Sequence, residues 1–397
     1  VYGFILIYAK NISILLFKTP DYRLIVSVIA ILIITNPLVD LQMIIIRYAR
    51  QVWKFVTVSS LRAIIQASLG ILLVVSLRKG VLGANMASVI TTSFVFLFAF
   101  LVYTRKQYTY KFSLEWGKKM LIYGYPLIGA VLSQWVFSVS DRFFLLRYSE
   151  LDHIGLYSIG TTFAQPIQLI NTAINMSSSI LILTVFQKEK ESDKPRTKKF
   201  LNDIWRLYLV VAIPICLMLS IFSVEILTLL TTIEYVKAAI VIPLLLFSLI
   251  IAQSYILTAV GMDLMLNTKP YFWILFTAAL TNVILNFWFI PRYSYIGAGI
   301  TTLISNMVYF IIGYIWSQKY FYIRREIVKV FIFISITFII SMICPYSYLF
   351  LNFEVPIYIK ILLLAGGTSI PLIIGFIKIE QLVSLFNSIK QKISSNI

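Results

Sequence analysis

Residues 125–148 read YPLIGAVLSQWVFSVSDRFFLLRY, and residues 155–186 read GLYSIGTTFAQPIQLINTAINMSSSILILTVF. Both stretches are long enough to cross a bilayer and consist mainly of apolar residues. Their polar residues recur at about every third or fourth position, which places them on one face of a helix. Because hydrocarbon offers no water to polar groups, such a face must turn toward protein or a wet cavity. The two stretches therefore predict neighbouring membrane helices beside a polar cavity.

The composition assigns the whole chain to the same class of protein. Of its 397 residues, 60% are hydrophobic and 13% are charged, and the mean hydropathy is +0.90. These values predict an all-α polytopic membrane protein. Apolar runs of span length occur about twelve times, at residues 1–17, 22–46, 55–77, 81–104, 121–146, 155–186, 203–230, 237–261, 270–290, 296–318, 326–344 and 357–377.

The net charge of +18 follows the predicted topology. About 22 of the 34 Lys and Arg residues fall in alternate connections and in the C-terminal tail, and this asymmetry indicates the cytosolic side. Both ends of the chain are then expected in the cytosol. Nucleic acid is not expected as a partner, because the basic residues mark topology.

A weak internal repeat suggests two helix bundles. Residues 78–88 resemble residues 292–302, with Gly83-Ala84 and Gly297-Ala298 at an offset of about 214 residues. Generic close packing of membrane helices is the alternative explanation. We predict two pseudo-symmetric bundles and two extra C-terminal spans. The predicted parts are a first bundle at 1–104, a cytosolic linker at 105–120, a second bundle at 121–318, two additional spans at 319–377 and a cytosolic amphipathic tail at 378–397. The chain starts inside an apolar run, so the first bundle is expected to be N-terminally truncated.

Three charged or amide side chains of the first bundle are candidates for function. Arg62 is expected about 12 Å inside its span, where it needs water or a partner. It either faces a cavity and attracts an anionic headgroup, or it snorkels or pairs with a neighbouring span. Asp40, with Asn36 one turn before it, either binds a coupling proton or cation, or pairs with Arg62 or another buried base.

The second bundle supplies the cavity-lining candidates. On the first quoted span, Gln134, Ser138, Asp141 and Arg142 are polar; Asp141 and Arg142 either serve gating and cargo binding or are solvated at the interface. The second span carries a stripe of five polar residues, for which we predict cavity lining: Gln165, Gln168, Thr172, Asn175 and Ser179. Asn282 and Asn286 serve either the same purpose or helix-to-helix hydrogen bonding.

Enzyme chemistry has little support in the sequence. No phosphate-binding loop, HExxH or nucleophile elbow occurs, and the two cysteines form no CxxC. The single histidine, His153, is interpreted as a solvated loop residue. We therefore expect no catalytic residue, no cofactor and no metal site.

Several motifs resemble the bacterial polysaccharide biosynthesis flippases, which transport lipid-linked O-antigen and capsule repeat units and are related to multidrug exporters of the MATE type. The first motifs are Tyr123–Leu127, Ser140–Leu145 and Ile154–Ser158; the later ones are Asn282–Pro291 and Gly297–Gly299. That family usually has fourteen spans with the Asp-Arg motif in the seventh. Here the motif lies in the fifth, so the resemblance implies that about two spans are missing and that cationic residues of those spans cannot be located.

The resemblance implies a flippase of the bacterial cytoplasmic membrane that moves a polyprenyl-pyrophosphate-linked oligosaccharide by alternating access. Its expected partners are the lipid-linked oligosaccharide, membrane lipids and other polysaccharide assembly proteins. The expected substrate-binding residues are Arg62, Arg142, Gln134, Gln165, Gln168 and Asn175, and the expected coupling or gating residues are Asp40, Asn36 and Asp141. Two alternatives remain open: a multidrug or cation antiporter of the same superfamily, and a membrane polysaccharide polymerase or ligase.

Overall fold

The fold is all α-helical over the residues that the computed structural model describes, which are 2–17, 19–49, 51–108, 113–189, 193–265 and 267–376. The helices are α1 Tyr2–Ile7, α2 Ala9–Phe17, α3 Arg23–Tyr48, α4 Val52–Gly70, α5 Gly80–Ala99, α6 Leu114–Tyr148, α7 Leu151–Phe163, α8 Gln165–Lys188, α9 Pro195–Ile221, α10 Ser223–Leu230, α11 Val241–Leu264, α12 Lys269–Tyr320, α13 Ile327–Phe350 and α14 Ile357–Ile373. Wider π-helical turns extend α4 and α5 to Ser76 and Thr104, and a 3₁₀ helix at Ile233–Ile240 leads into α11.

Nine helices of the described ranges are long and apolar enough to cross a membrane. One of them, α12, consists of two helices joined at a kink at Ser294, whose φ is 49°. The shorter α14 is also apolar. These observations confirm the predicted all-α polytopic fold, while the count of about twelve spans stays a prediction.

The chain divides into two compact units, Val1–Ser113 and Leu114–Ile397. The division falls within the stretch predicted as a linker. In unit 1, α3 and α4 pack against α5 around Val39, Val58 and Val95. In unit 2, α12 packs against α6 and α11, and α9 packs against α11 and α13. The two spans predicted as additional belong to unit 2.

The two glycines of the repeat have the same local surroundings in their own units. A Cβ on Gly83 would lie 2.8 Å from the carbonyl oxygen of Leu73, and a Cβ on Gly297 would lie 2.5 Å from that of Phe289. Only glycine allows the preceding helix to approach so closely. Each Gly-Ala motif therefore begins a helix that crosses the backbone just before it.

Two local features differ from the sequence interpretation. The single span expected at 155–186 is divided into α7 and α8, because Pro166 cannot donate the backbone hydrogen bond that would continue α7 and instead begins α8. His153 lies within α7 rather than in a loop. Its Nδ1 is 2.9 Å from the Oγ of Ser294, so it is a partner of the α12 kink. The predicted tail at 378–397 lies outside the described residues.

Candidate functional site

The candidate site is a cavity of about 540 Å³ inside unit 2. It lies between α6, α7, α8, α11 and the second half of α12. Amide and hydroxyl groups dominate its polar lining, which comprises Gln134, Ser138, Asp141, Tyr157, Thr161, Gln165, Gln168, Asn171, Asn175, Ser248, Gln253, Thr302, Asn306 and Tyr309. Asp141 is the one charged residue among these lining residues.

The structure brings together most of the polar residues predicted on the two quoted stretches. On α6, Gln134, Ser138 and Asp141 line the cavity, and each lies about one helical turn after the one before. On α8, Gln165 and Gln168 line it in the same way. Helical spacing therefore placed these side chains on the face that the packing of unit 2 turns inward.

Asn175 of α8 and Gln253 of α11 form a reciprocal pair of amide hydrogen bonds. The Nδ2 of Asn175 donates to Gln253 Oε1 at 3.1 Å, and Gln253 Nε2 donates to Asn175 Oδ1 at 2.6 Å. Thr172 is outside the lining and donates its hydroxyl to the Gln168 carbonyl at 2.8 Å. The pair fixes α8 against α11 and satisfies polar groups that would be costly to bury alone.

Asp141 is the centre of a buried hydrogen-bond network. Its Oδ2 accepts from the hydroxyls of Tyr157 and Thr302, both at 2.6 Å. Its Oδ1 accepts from Nδ2 of Asn286 at 2.8 Å and from Nδ2 of Asn282 at 3.1 Å. Four donors from α7 and both halves of α12 thus converge on one carboxylate.

This carboxylate has no cationic partner in the part of the chain that is described. Asp141 is 5% exposed, and none of the ion pairs found among those residues includes it. Hydrogen bonds stabilise the anion, but a buried charge without a counter-charge is costly, especially in a membrane protein. The carboxylate is therefore held by neutral donors alone among the described residues. The interpretation of Asp141 as a solvated interfacial residue is wrong.

Asn282 and Asn286 contribute to this network rather than to the open lining. Both are fully buried, and they also bind Ser140 of α6 and Thr301 of α12. Of the two roles considered for these asparagines, helix-to-helix hydrogen bonding is the one their contacts show.

Arg142 lies apart from the cavity. It follows Asp141 on α6 and therefore points about 100° around the helix from it. Its side chain is exposed on unit 2 and is not among the cavity-lining residues. Any binding of cargo by Arg142 therefore takes place outside this cavity.

The candidates of unit 1 contact one another. The guanidinium of Arg62 lies 3.6 Å from the Asp40 carboxylate and donates to Asn36 Oδ1 at 3.2 Å. The side chains of Arg62 and Asp40 remain 39% and 64% exposed within the described structure. Pairing with Asp40 was one of the two sequence interpretations of Arg62, and it leaves part of the guanidinium accessible. Pro37 is accommodated inside a continuous α3.

Some lining residues were missed from the sequence. Ser248 and Gln253 lie on α11, whose other residues are almost all apolar, and Asn306 lies on the second half of α12. Ser248 and Gln253 are five positions apart in an apolar helix and form no helical stripe, whereas Thr302, Asn306 and Tyr309 of α12 recur at helical spacing and were overlooked. No local pattern links Gln253 to its partner Asn175, which is 78 positions away in the sequence.

The sequence comparison identifies the family. Residues 1–240 match the sequence profile described as "polysaccharide biosynthesis protein". The chain belongs to the polysaccharide biosynthesis protein family. This finding confirms the family that the motifs had suggested. No curated protein sequence matches the chain.

Solved structures share the fold at low sequence identity. The lipid II flippase MurJ in an inward closed conformation aligns with a TM-score of 0.63 and 17% identity, over 96% of this chain and 82% of MurJ. A MOP superfamily transporter from Pyrococcus furiosus, reported with a binding pocket of reversed polarity, aligns with a TM-score of 0.60 and 16% identity, over 80% and 74% of the two chains. A MATE protein in a straight conformation gives 0.60 and 15%, over 80% and 75%. The chain is therefore a multi-pass membrane protein with the fold of these proteins.

Proposed function

We propose that the chain is a transporter that moves a polyprenyl-pyrophosphate-linked oligosaccharide across the bacterial cytoplasmic membrane. The observation that carries this proposal is the cavity of unit 2, whose lining is a set of amides and hydroxyls rather than a catalytic group. Such groups donate to and accept from sugar hydroxyls with little demand on geometry. A cavity of about 540 Å³ can hold part of an oligosaccharide while its lipid stays in the bilayer.

The structural neighbours, which include a lipid II flippase and a MATE protein, support transport by alternating access together with the family. In the proposed cycle, Gln134, Gln165 and Gln168 bind the sugars. Arg62 of unit 1 and Arg142 of unit 2 attract the pyrophosphate, each from its own unit. Other polysaccharide assembly proteins are the expected partners before and after translocation.

Asp141 is the proposed coupling residue. A buried carboxylate without a cationic partner attracts a small monovalent cation. The hydrogen-bond donors to Asp141 come from α7 and from both halves of α12, so cation occupancy at this point changes how α6, α7 and α12 pack. Coupling would follow if that packing differs between the two access states.

A second candidate is a multidrug or cation antiporter. It is favoured by one observation, namely that Asp141 is the one charged residue of the cavity lining and is negative. An organic cation would compete with the coupling ion for this carboxylate. Against it, the four hydrogen bonds to Asp141 leave it largely shielded from the open cavity.

The test is translocation of a fluorescent polyprenyl-pyrophosphate oligosaccharide in proteoliposomes. The double variant Gln165→Leu/Gln168→Leu should lower the initial rate at least about tenfold, because two sugar-binding amides are lost. Gln187→Leu is the matched control, since Gln187 is exposed on the same helix and outside the cavity lining. Equal rates for the two variants, with wild-type activity present, would refute the role of the cavity. Proton-driven efflux of an organic cation that Asp141→Asn abolishes, without any flipping, would establish the antiporter instead.

A further inference from the structure

A second polar cleft lies in unit 2, at the ends of α9 and α13 opposite to the basic residues at 194–199 and 319–329. It is formed by α10, the 3₁₀ helix Ile233–Ile240, the end of α13 and the start of α14. Two cavities of about 390 and 540 Å³ meet there and share Tyr348 and Glu354 in their linings. We refer to them together as the α10–α14 cleft.

The charges of the α10–α14 cleft are balanced. Lys360 is buried and forms a hydrogen-bonded ion pair with Glu225, whose side chain remains 49% exposed. Glu354 and Lys237 also line the cleft, and neither has an ion-pair partner among the residues described. The cleft thus offers free carboxylate oxygens and a free ammonium group within adjoining cavities. A ligand with one positive and one negative group would match both.

The edge of this cleft is apolar. Leu229 and Ile233 line the two cavities and are 84% and 77% exposed. Phe350, at the end of α13, and Phe353, in the connection between α13 and α14, are also exposed. Large apolar side chains at the ends of membrane helices are typical of the interfacial region, where headgroups give way to acyl chains. The position and edge of the cleft therefore fit a lipid better than a soluble metabolite.

We propose that the α10–α14 cleft binds a zwitterionic phospholipid whose headgroup ends in a primary ammonium, as in phosphatidylethanolamine. The ammonium donates to Glu354 and to the free oxygen of Glu225. The phosphate accepts from the ammonium of Lys237 and from the amide of Asn352, which also lines the cleft. The acyl chains lie along Leu229 and Ile233.

This chemistry discriminates among common lipids. A choline headgroup has no N–H to donate to a carboxylate, and a phosphoglycerol headgroup brings no cation to offset Glu354. We therefore expect phosphatidylethanolamine to bind more tightly than phosphatidylcholine or phosphatidylglycerol with the same acyl chains.

Lipid retention by the purified full chain, measured by native mass spectrometry with each of these three lipids in turn, tests the proposal. The Glu354→Gln variant should weaken phosphatidylethanolamine binding roughly tenfold, the effect of losing one charged hydrogen bond. Lys237→Gln should weaken it by a similar factor. Glu234→Gln is the matched control, because Glu234 is exposed nearby but is not among the cleft-lining residues.

Two results would overturn the proposal. Equal retention of the three lipids, or retention that Glu354→Gln and Glu234→Gln change to the same extent, would exclude recognition of the ammonium. Glycerophosphoethanolamine, the soluble headgroup without acyl chains, separates the two possible sources of the chemistry. Weak displacement by it supports a lipid, whereas displacement at concentrations similar to the lipid's own would assign the cleft to a soluble zwitterion.

Discussion

Asp141 accepts four hydrogen bonds inside unit 2. Replacing it by Asn leaves the shape but turns an acceptor of four hydrogen bonds into a group that must donate with one of its two atoms. At least one donor then loses its partner, at a cost of roughly 1–3 kcal/mol of folding free energy. We expect Asp141→Asn to lower the thermal unfolding midpoint and to abolish ion-coupled transport. Ser138→Ala, on the same helix, serves as control, because the Ser138 hydroxyl bonds only to the Trp135 carbonyl among the contacts described. An Asp141→Asn protein with unchanged coupling would exclude Asp141 as the coupling residue.

Substitutions of Arg62 and Asp40 distinguish between cargo attraction and structural pairing in unit 1. Asp40→Asn removes the ionic partner and leaves the guanidinium in place, whereas Arg62→Gln removes the positive charge. If Arg62 attracts the pyrophosphate, Arg62→Gln should raise the apparent KM for the lipid-linked cargo about tenfold, and Asp40→Asn should leave it unchanged or lower it. Initial rates over a range of cargo densities in proteoliposomes give the apparent KM of each variant. Identical effects of the two substitutions would indicate that the pair is structural only.

Glu189, in the connection between α8 and α9, links stability to pH. Burial of its carboxylate acts to raise the pKa, but hydrogen bonds from the Thr197 hydroxyl and the backbone N–H groups of Arg196 and Thr197, and the nearby Lys194 ammonium, lower it overall. A pKa below the ordinary value means that the folded state is stabilised by the carboxylate near neutral pH and loses this stabilisation as the pH falls through the folded-state pKa. The thermal midpoint of wild type should therefore exceed that of Glu189→Gln near pH 7, and the gap should close as the pH falls through the lowered pKa of Glu189. A gap independent of pH would contradict this.

At the scale of helices, the two repeat glycines provide a paired test. Gly83→Ala and Gly297→Ala each place a methyl group against a backbone carbonyl that cannot rotate away, so each should destabilise the protein by roughly 1–3 kcal/mol. Gly70 has open space around its Cβ position, and Gly70→Ala should be neutral or slightly stabilising. Thermal unfolding of the three variants decides the matter. Destabilisation by only one of the repeat glycines would mean that the two junctions are not equivalent.

The polar faces of the helices were partly predictable from the sequence. Helical spacing was sufficient to place Gln134, Gln165 and Gln168 on one cavity, because polar groups of membrane helices have few places to lie. The break between α7 and α8 was missed, although Pro166 was present as a signal. The partners of Asp141 could not be found, because Asn282 and Asn286 are more than 140 positions away and only the packing of α6 against α12 brings them together. The position of Arg142 away from the cavity depended on a helix rotation that no local pattern specified.

At the scale of the whole molecule, composition and the recurrence of apolar runs of span length were enough to predict the membrane fold, and short motifs were enough to predict the family. Cargo identity depends on a few side chains in one cavity, and composition carries no information about them. The proposed function therefore requires that the amides of unit 2 recognise sugars during translocation.

The most direct measurement compares the rates at which proteoliposomes translocate three fluorescent cargoes, with wild type and with Gln165→Leu/Gln168→Leu. The cargoes are a polyprenyl pyrophosphate with an oligosaccharide, the same lipid with a single sugar, and the lipid pyrophosphate alone. If the cavity recognises sugars, wild type moves the oligosaccharide cargo fastest. The double variant then loses this advantage and moves the sugar-free lipid as fast as wild type does. Equal sensitivity of all three cargoes to the double substitution would contradict sugar recognition by the cavity.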